Sequence, residues 1–238
     1  MKEIINYPAE HYLELIRENI PFQLSRFGDG EVIAMKFKEH PLKENCDGSA
    51  FLPELVQPLK QIFINNYNYY HCVLDCTFNE NGEQFKQFIE ETCPNMQFYN
   101  GEIWQHLSFD GRIRELVDAI SPYNPCFVGG KHIQKVKYMI GLDDIMFIET
   151  PSRNSFKEFD RICDNIMKLH FDGCRMFLFS AGYTSKILID TMFPYLYEST
   201  FLLDVGSLFD PFVGKLSRDG MRASGLKFFQ PYTNLLLR

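Results

Sequence analysis

The chain has 238 residues, and its 24 Lys and Arg against 31 Asp and Glu give a net charge of −7. With 45% hydrophobic and 23% charged residues it has the composition of a folded protein with a core, which excludes a disordered chain. The acidic balance excludes a nonspecific nucleic-acid binder, because that role needs a basic surface to displace counterions from phosphates.

The length fits a single domain spanning residues 1–238. The N-terminus has no apolar run long enough for a signal peptide, and no stretch of roughly 18 apolar residues occurs anywhere, so no transmembrane segment is expected and the chain is expected in the cytoplasm. Seven Cys, an odd number with no Cys-x-x-Cys pair, are expected to be reduced and mostly buried, with Cys72 and Cys76 on one face of an apolar run. The six His are scattered without ligand spacing, and none is assigned to a metal.

Helical and strand elements alternate. A helix at about Pro8 to Glu18 precedes a strand from Phe22 to Phe27, which runs into Gly28-Asp29-Gly30-Glu31 and a second helix. Leu55, Val56, Leu59, Ile62 and Phe63 repeat at helical spacing from Pro53 to Asn65. A strand near Tyr69 to Leu74, a helix around Glu83 to Glu91 and a weak strand near Gln97 follow. Further on, Cys126 to Val128 is a strand ending in Gly129-Gly130, and the next helix places Ile133, Val136 and Ile140 inward and stops at Gly141. Ile145 to Ile148 is a strand closed by Pro151. Ser155 to Glu158 reads as a capping box opening a helix that ends at Gly173. Met176 to Phe179 is a strand, Ala181 to Ser185 a turn, Lys186 to Met192 a helix, and Phe201 to Val205 a buried strand. Apolar strands that do not alternate, each followed by a helix, predict an α/β fold with a Rossmann-like, mostly parallel sheet and helices on both faces. Ligands of such sheets bind at the carboxyl ends of the strands, where the motifs below fall.

Asp29 and Glu31, separated by one glycine, can direct two carboxylates at a hard cation such as Mg²⁺ or Mn²⁺, with Arg26 beside them for a diphosphate. Equally, Asp29 can cap the helix, Glu31 can serve the helix dipole and Arg26 can be their salt-bridge partner. The turns at Gly129-Gly130 and at Gly182-Tyr183-Thr184 would suit an anion or a tight bend without a ligand. Arg153, Asn154 and Ser155 are donor-rich at a strand end and can contact phosphate, base or ribose, or simply cap a helix. Asp204 and Asp210 can each orient a hydroxyl, act as a general base, or cap. Lys215, Arg218 and Arg222 form a basic stripe at helical spacing, read as a solvated face.

Taken in order, these residues resemble the small bacterial glycosyltransferases with the fold termed GT-D, long catalogued as a domain of unknown function. Arg26-Phe27-Gly28-Asp29-Gly30-Glu31 is similar to the family's Arg-Phe-Gly-Asp-Gly-Glu, Pro151 to Phe156 to its Pro-x-x-Asn-Ala-Phe, Ala181 to Thr184 to its Gly-Pro-Thr-Ala turn, and Asp204-Val205-Gly206 to its Asp-Ile-Gly. The resemblance implies a transferase moving a sugar from a nucleotide diphosphate sugar, UDP-linked, to a hydroxyl of a glycan. It implies Mn²⁺ or Mg²⁺ at Asp29 and Glu31, and a nucleotide-sugar site formed by Arg26, Phe27, Gly28, Asp29, Arg153, Asn154, Ser155, Gly182 and Thr184. Asp210 or Asp204 would then deprotonate the acceptor. The chain lacks the family's Glu at the Gly129-Gly130 turn and has Ser207 in place of its His, which leaves a non-catalytic nucleotide-sugar binder as an alternative. A Rossmann methyltransferase or dehydrogenase is a second alternative, since Glu149 follows Gly129 at the spacing of a ribose-binding acid.

Overall fold

A computed structural model describes residues 3–39, 42–45, 48–74, 77, 83–109, 111–142 and 145–215. Among the described residues eight strands form one open sheet: β1 (Ile4–Ile5), β2 (Gln23–Phe27), β3 (Tyr70–Val73), β4 (Phe98–Asn100), β5 (Cys126–Gly130), β6 (Met146–Thr150), β7 (Met176–Ser180) and β8 (Phe201–Asp204). Their order is β1-β4-β3-β2-β8-β7-β5-β6, and the paired strands run parallel. The helices are α1 (Ala9–Arg17), α2 (Asp29–Ala34), α3 (Val56–Asn65), α4 (Glu83–Thr92), α5 (Ile103–Phe109), α6 (Ile113–Ile120), α7 (Val136–Ile140), α8 (Phe159–Phe171) and α9 (Tyr183–Leu196).

The central strands are apolar on both sides because both faces are covered. Leu24, Phe127, Leu178 and Leu203 pack with Tyr12, Leu13 and Ile16 of α1 and with Ile113, Leu116 and Val117 of α6. Val128, Phe177 and Leu202 pack on the other face with α3, α8 and α9. Much of the aromatic surplus is spent here, as in the Phe27–Phe63 contact at 5.0 Å and the Tyr12–Tyr70 contact at 5.1 Å between ring centroids. Truncating such a ring to alanine costs about 3–5 kcal/mol. Among the described residues no helix is long and apolar enough to cross a membrane.

Several elements differ from expectation for identifiable reasons. β1 is only two residues long and has no pattern to read. α5 and α6 were not expected, although Ile113, Leu116, Val117 and Ile120 do carry helical spacing. α9 begins at Tyr183 and runs through Pro194, which forfeits one backbone hydrogen bond without stopping the helix. The segment after β5 starts as a 3₁₀ turn, Lys131–Lys135, before α7. Ser155 is not the cap of a box: a 3₁₀ turn, Ser155–Glu158, precedes α8, and the Ser155 hydroxyl bonds across to another element. Cys72, Cys93, Cys126, Cys163 and Cys174 are free thiols, while Cys46, Cys76, Arg218 and Arg222 lie outside the described residues.

The seam between β2 and β8 positions the site. The strands pair at Gln23 with Leu202 and at Leu24 with Leu203, and beyond that they part. The N–H of Arg26 then finds a side chain in place of a strand, donating to Asp204 Oδ2 at 3.2 Å. Chain order reverses at this seam, and the sheet opens there into a cleft at its carboxyl edge.

Candidate active site

The cleft has a volume of about 790 Å³ and is walled by the end of β2, the first turn of α2, residues 42–45 and 48–51, the start of α9 and the chain after β8. Arg26, Asp29, Glu31, Gln105, Arg153 and Lys186 are among the polar residues that line it. Such a size suits a ligand of nucleotide-sugar dimensions.

Its floor is an ion cluster that spacing alone does not show. Lys186, in the first turn of α9, places Nζ 3.1 Å from Glu31 Oε1 and 3.0 Å from Asp204 Oδ2, and donates to the Gly182 carbonyl at 3.2 Å. Burial pulls the lysine's pKa down, but the facing carboxylates of Asp204 and Glu31 outweigh it and hold it above the ordinary lysine value, so the ammonium stays charged. Asp204 is fully engaged, since its Oδ2 also accepts from Arg26 N–H and its Oδ1 accepts from Gly206 N–H at 3.0 Å. Trp104 Nε1 donates to the Asp204 carbonyl at 3.2 Å, fixing the end of β8 from the other side.

Arg26 is buried and stretched along the cleft edge. Its Nε donates to the Gly101 carbonyl at 2.7 Å, and its Nη1 lies 3.5 Å from the Val205 carbonyl. Gly206, at φ +54°, permits this, because a Cβ there would fall 2.9 Å from Arg26 Nη1. Gly182, at φ +59°, likewise supplies the bend that brings Lys186 under the cleft.

The residues of the Asp-x-Glu motif separate. Gly28, not Asp29, is the residue before α2, and Glu31 Oε2 reaches back to accept its N–H at 2.8 Å. Each Glu31 oxygen thus has one partner, that N–H or Lys186, so a cation at Glu31 would share the carboxylate with them. Asp29 is exposed at the cleft lip, where its Oδ1 accepts from Gly30 N–H at 2.8 Å. It fits a hard cation as a single carboxylate ligand beside diphosphate oxygens, the way Mg²⁺ is commonly held. Among the described residues no group of three or more His, Cys, Asp or Glu could hold a metal ion by itself.

Other expected residues take supporting places. Arg153 lines the cleft, with its guanidinium against Gly48. Asn154 is in the left-handed region at φ +54°, and its Oδ1 accepts from Ala50 N–H at 2.9 Å, so it holds the loop that walls the cleft. The Ser155 hydroxyl donates to the Ala181 carbonyl at 3.0 Å and meets Thr184 Oγ1 at 3.1 Å, tying two strand-end turns together beneath the site. Phe27 presents its end of β2 to the cleft while its ring is buried in the core. Asp210 lies in a smaller adjoining pocket, with its Oδ1 3.1 Å from His132 Nε2.

Gly129 and Gly130 belong to β5 and are followed by the 3₁₀ turn, so they form no glycine loop at the start of an α-helix. Glu149, the acid of the dehydrogenase alternative, sits on the edge strand β6 opposite Gly129. Sequence reasoning missed Lys186, His132 and Gln105. A lysine in the first turn of an otherwise apolar helix was the available signal for Lys186. No spacing marked His132 or Gln105, whose Oε1 is buried without a hydrogen-bond partner beside the cleft.

No family model and no curated protein matches the sequence. Solved structures do match. One, described as the highly conserved domain of unknown function 1792 with a distinct glycosyltransferase fold, superposes with a TM-score of 0.61 at 20% identity, covering 87% of this chain and 81% of that one. Another, described as a new glycosyltransferase of the same domain type from Streptococcus sanguinis, gives a TM-score of 0.63 at 19% identity, covering 87% and 82%. The likeness is one of fold, and it bears out both the α/β architecture expected from the strand pattern and the resemblance stated beside it.

Proposed function

We propose that this chain, which carries the fold of those structures, is a glycosyltransferase that moves a sugar from a nucleotide diphosphate sugar, UDP-linked, to a hydroxyl of a glycan acceptor, and that it works in the cytoplasm. One observation carries the reading: the cleft at the parted β2–β8 seam is of nucleotide-sugar size and is lined by Arg26, Lys186 and Arg153, with Asp29 at its lip.

The chemistry asks for stabilisation of a diphosphate as it leaves. Arg153 is suited to hold its oxygens, because a guanidinium offers paired donors to phosphate, and Arg26, whose Nε and Nη1 serve backbone carbonyls, adds fixed positive charge at the cleft edge. Lys186 is held charged and fixed by two carboxylates, so its field is in place before the substrate arrives and no reorganisation is needed as charge develops. Asp29 would hold Mn²⁺ or Mg²⁺, and such a cation, when bound, neutralises charge on the departing diphosphate. Asn154, Ser155 and Thr184 support the wall, and Gln105 Oε1 is available to a ligand donor such as a sugar hydroxyl.

A panel of UDP- and GDP-sugars incubated with Mn²⁺, read as release of the nucleoside diphosphate, tests this. Metal-stimulated release of UDP is expected. Stabilisation by S-adenosylmethionine or NAD, with no response to any nucleotide sugar, would replace the reading with the methyltransferase or dehydrogenase one. Binding of a UDP-sugar without turnover on water or any glycan would reduce the protein to a binder.

A further inference from the structure

Glycosyl transfer by direct displacement needs a group to take the acceptor's proton, and neither acid singled out by sequence is free for it. Asp204 spends both oxygens on Lys186, Arg26 N–H and Gly206 N–H, so protonating it would dismantle the cleft floor. The Asp210 side chain is only 5% exposed and faces His132, whose side chain is 27% exposed. His132 stands on the Lys131–Lys135 turn after β5, and Asp210 opens the Asp210–Val213 turn after β8. The topology thus brings together two residues 78 positions apart.

The Asp210 carboxylate, 3.1 Å from Nε2, demands a hydrogen there and selects the Nε2–H tautomer, which leaves the lone pair on Nδ1. Lys215 Nζ, which can only donate, stands farther off at 3.4 Å from the same Nε2, so the nearer carboxylate decides the tautomer. Nδ1 lies over Gly130, where an added Cβ would come within 3.0 Å of it. His132, Asp210 and Gly130 line a pocket of about 60 Å³, room for a few water molecules. This pocket and the main cleft share Gly182, Lys186, Gly206 and Ser207 as walls, so a hydroxyl placed where they meet can pass its proton to the ring directly or through one water.

Resting on the glycosyltransferase reading, we infer that His132 is the general base of this site and that Asp210 is its positioning residue. In the step, the acceptor oxygen bonds to the anomeric carbon as its proton passes to His132 Nδ1. The bond from the anomeric carbon to the diphosphate oxygen breaks, and its electron pair leaves on the nucleoside diphosphate. The imidazolium that results is stabilised by the Asp210 carboxylate, and the sugar's anomeric configuration is inverted.

The test uses the full chain and the UDP-sugar that it hydrolyses, with water as acceptor. His132→Ala should lower UDP release by about 100-fold or more with UDP affinity within a few-fold, and added imidazole should restore part of the rate. Asp210→Asn should lower kcat with little change in KM. Full activity in His132→Ala, loss without imidazole rescue, or a first product of retained configuration would each overturn the proposal. Nitrogen-15 NMR of the His132 ring separates this failure from failure of the broader reading. If no nucleotide sugar is turned over, the glycosyltransferase reading falls, and the ring then decides the dyad alone. An Nε2–H tautomer that Asp210→Asn disturbs supports it, and an Nδ1–H tautomer overturns it.

Discussion

Lys186 Nζ and Asp204 Oδ2 lie 3.0 Å apart, joining the first turn of α9 to the end of β8 beneath the cleft, with Glu31 on the other side of the same ammonium. Removing one member of a buried pair leaves a charge without compensation and typically costs about 3–5 kcal/mol. Lys186→Met should therefore lower unfolding stability by about that amount, measured by denaturant titration. The added substitution Glu31→Gln should recover part of the loss by neutralising one of the two orphaned acids. An Lys186→Met protein as stable as the parent would show that the cluster does not hold the fold.

The two acids of the Asp-x-Glu motif should part company in a melting experiment. UDP with Mn²⁺ at about a hundred times its dissociation constant should add about 2.7 kcal/mol and raise Tm by about 5–10 °C. Asp29→Asn should erase the Mn²⁺-dependent part and leave the apo protein unchanged. Glu31→Gln should lower the apo Tm, because it takes a partner from Lys186 and a charged acceptor from Gly28 N–H. Full response to UDP and Mn²⁺ in Asp29→Asn would remove the cation from that carboxylate.

Asn154→Ala should destabilise the protein by about 1–2 kcal/mol, since it loses the bond to Ala50 and places alanine at φ +54°. Asn154→Gly relieves the backbone conformation but not the lost bond, so it should recover only part. Calorimetry should show weaker UDP binding in both, through a loosened wall. Unchanged affinity together with a lowered Tm would confine Asn154 to folding.

How far the sequence speaks for itself can be judged from these same residues. The strand apolarity of β5, β7 and β8 and the glycine stops at Gly141 and Gly173 were legible because they depend on local pattern. Arg26, Asp29 and Arg153 were legible as cleft residues because strand ends and their neighbours face the ligand in any sheet of this kind. Lys186 was not, because a lysine's role depends on which carboxylates the fold brings to it, and Asp204 and Glu31 come from two other elements. For the same reason Asn154 and Ser155 looked like ligand groups by type, and their hydrogen bonds to Ala50 and Ala181 required the tertiary structure.

Asp190 gives a pH signature independent of the cleft. Burial pushes its carboxyl up to about 6 from an ordinary 3.8, although hydrogen bonds from Asn65 and Tyr69 pull the other way. The folded protein therefore holds this proton more tightly than the unfolded chain between those values. The stability it contributes is full below pH 3.8 and is lost as pH rises through about 6. Asp190→Asn should stabilise the protein by about 2 kcal/mol at pH 7–8, with the advantage fading toward pH 4. A gain that is the same at both ends of that range would rule out the titration of Asp190 as its source.

The β2–β8 seam also dictates when the site can exist. Arg26 and Asp204 are 178 residues apart along the chain, so β2 has an open edge until Phe201–Asp204 arrives. On a ribosome, β2, β3 and β4 are made long before the strand that completes the seam, and the first half must wait with an apolar margin exposed to solvent or to a chaperone. Contacts of such sequence separation make for slow folding. Arginine, lysine and the two buried acids meet only when β8 and α9 are in place, so a nascent chain is without its cleft until those elements have been made.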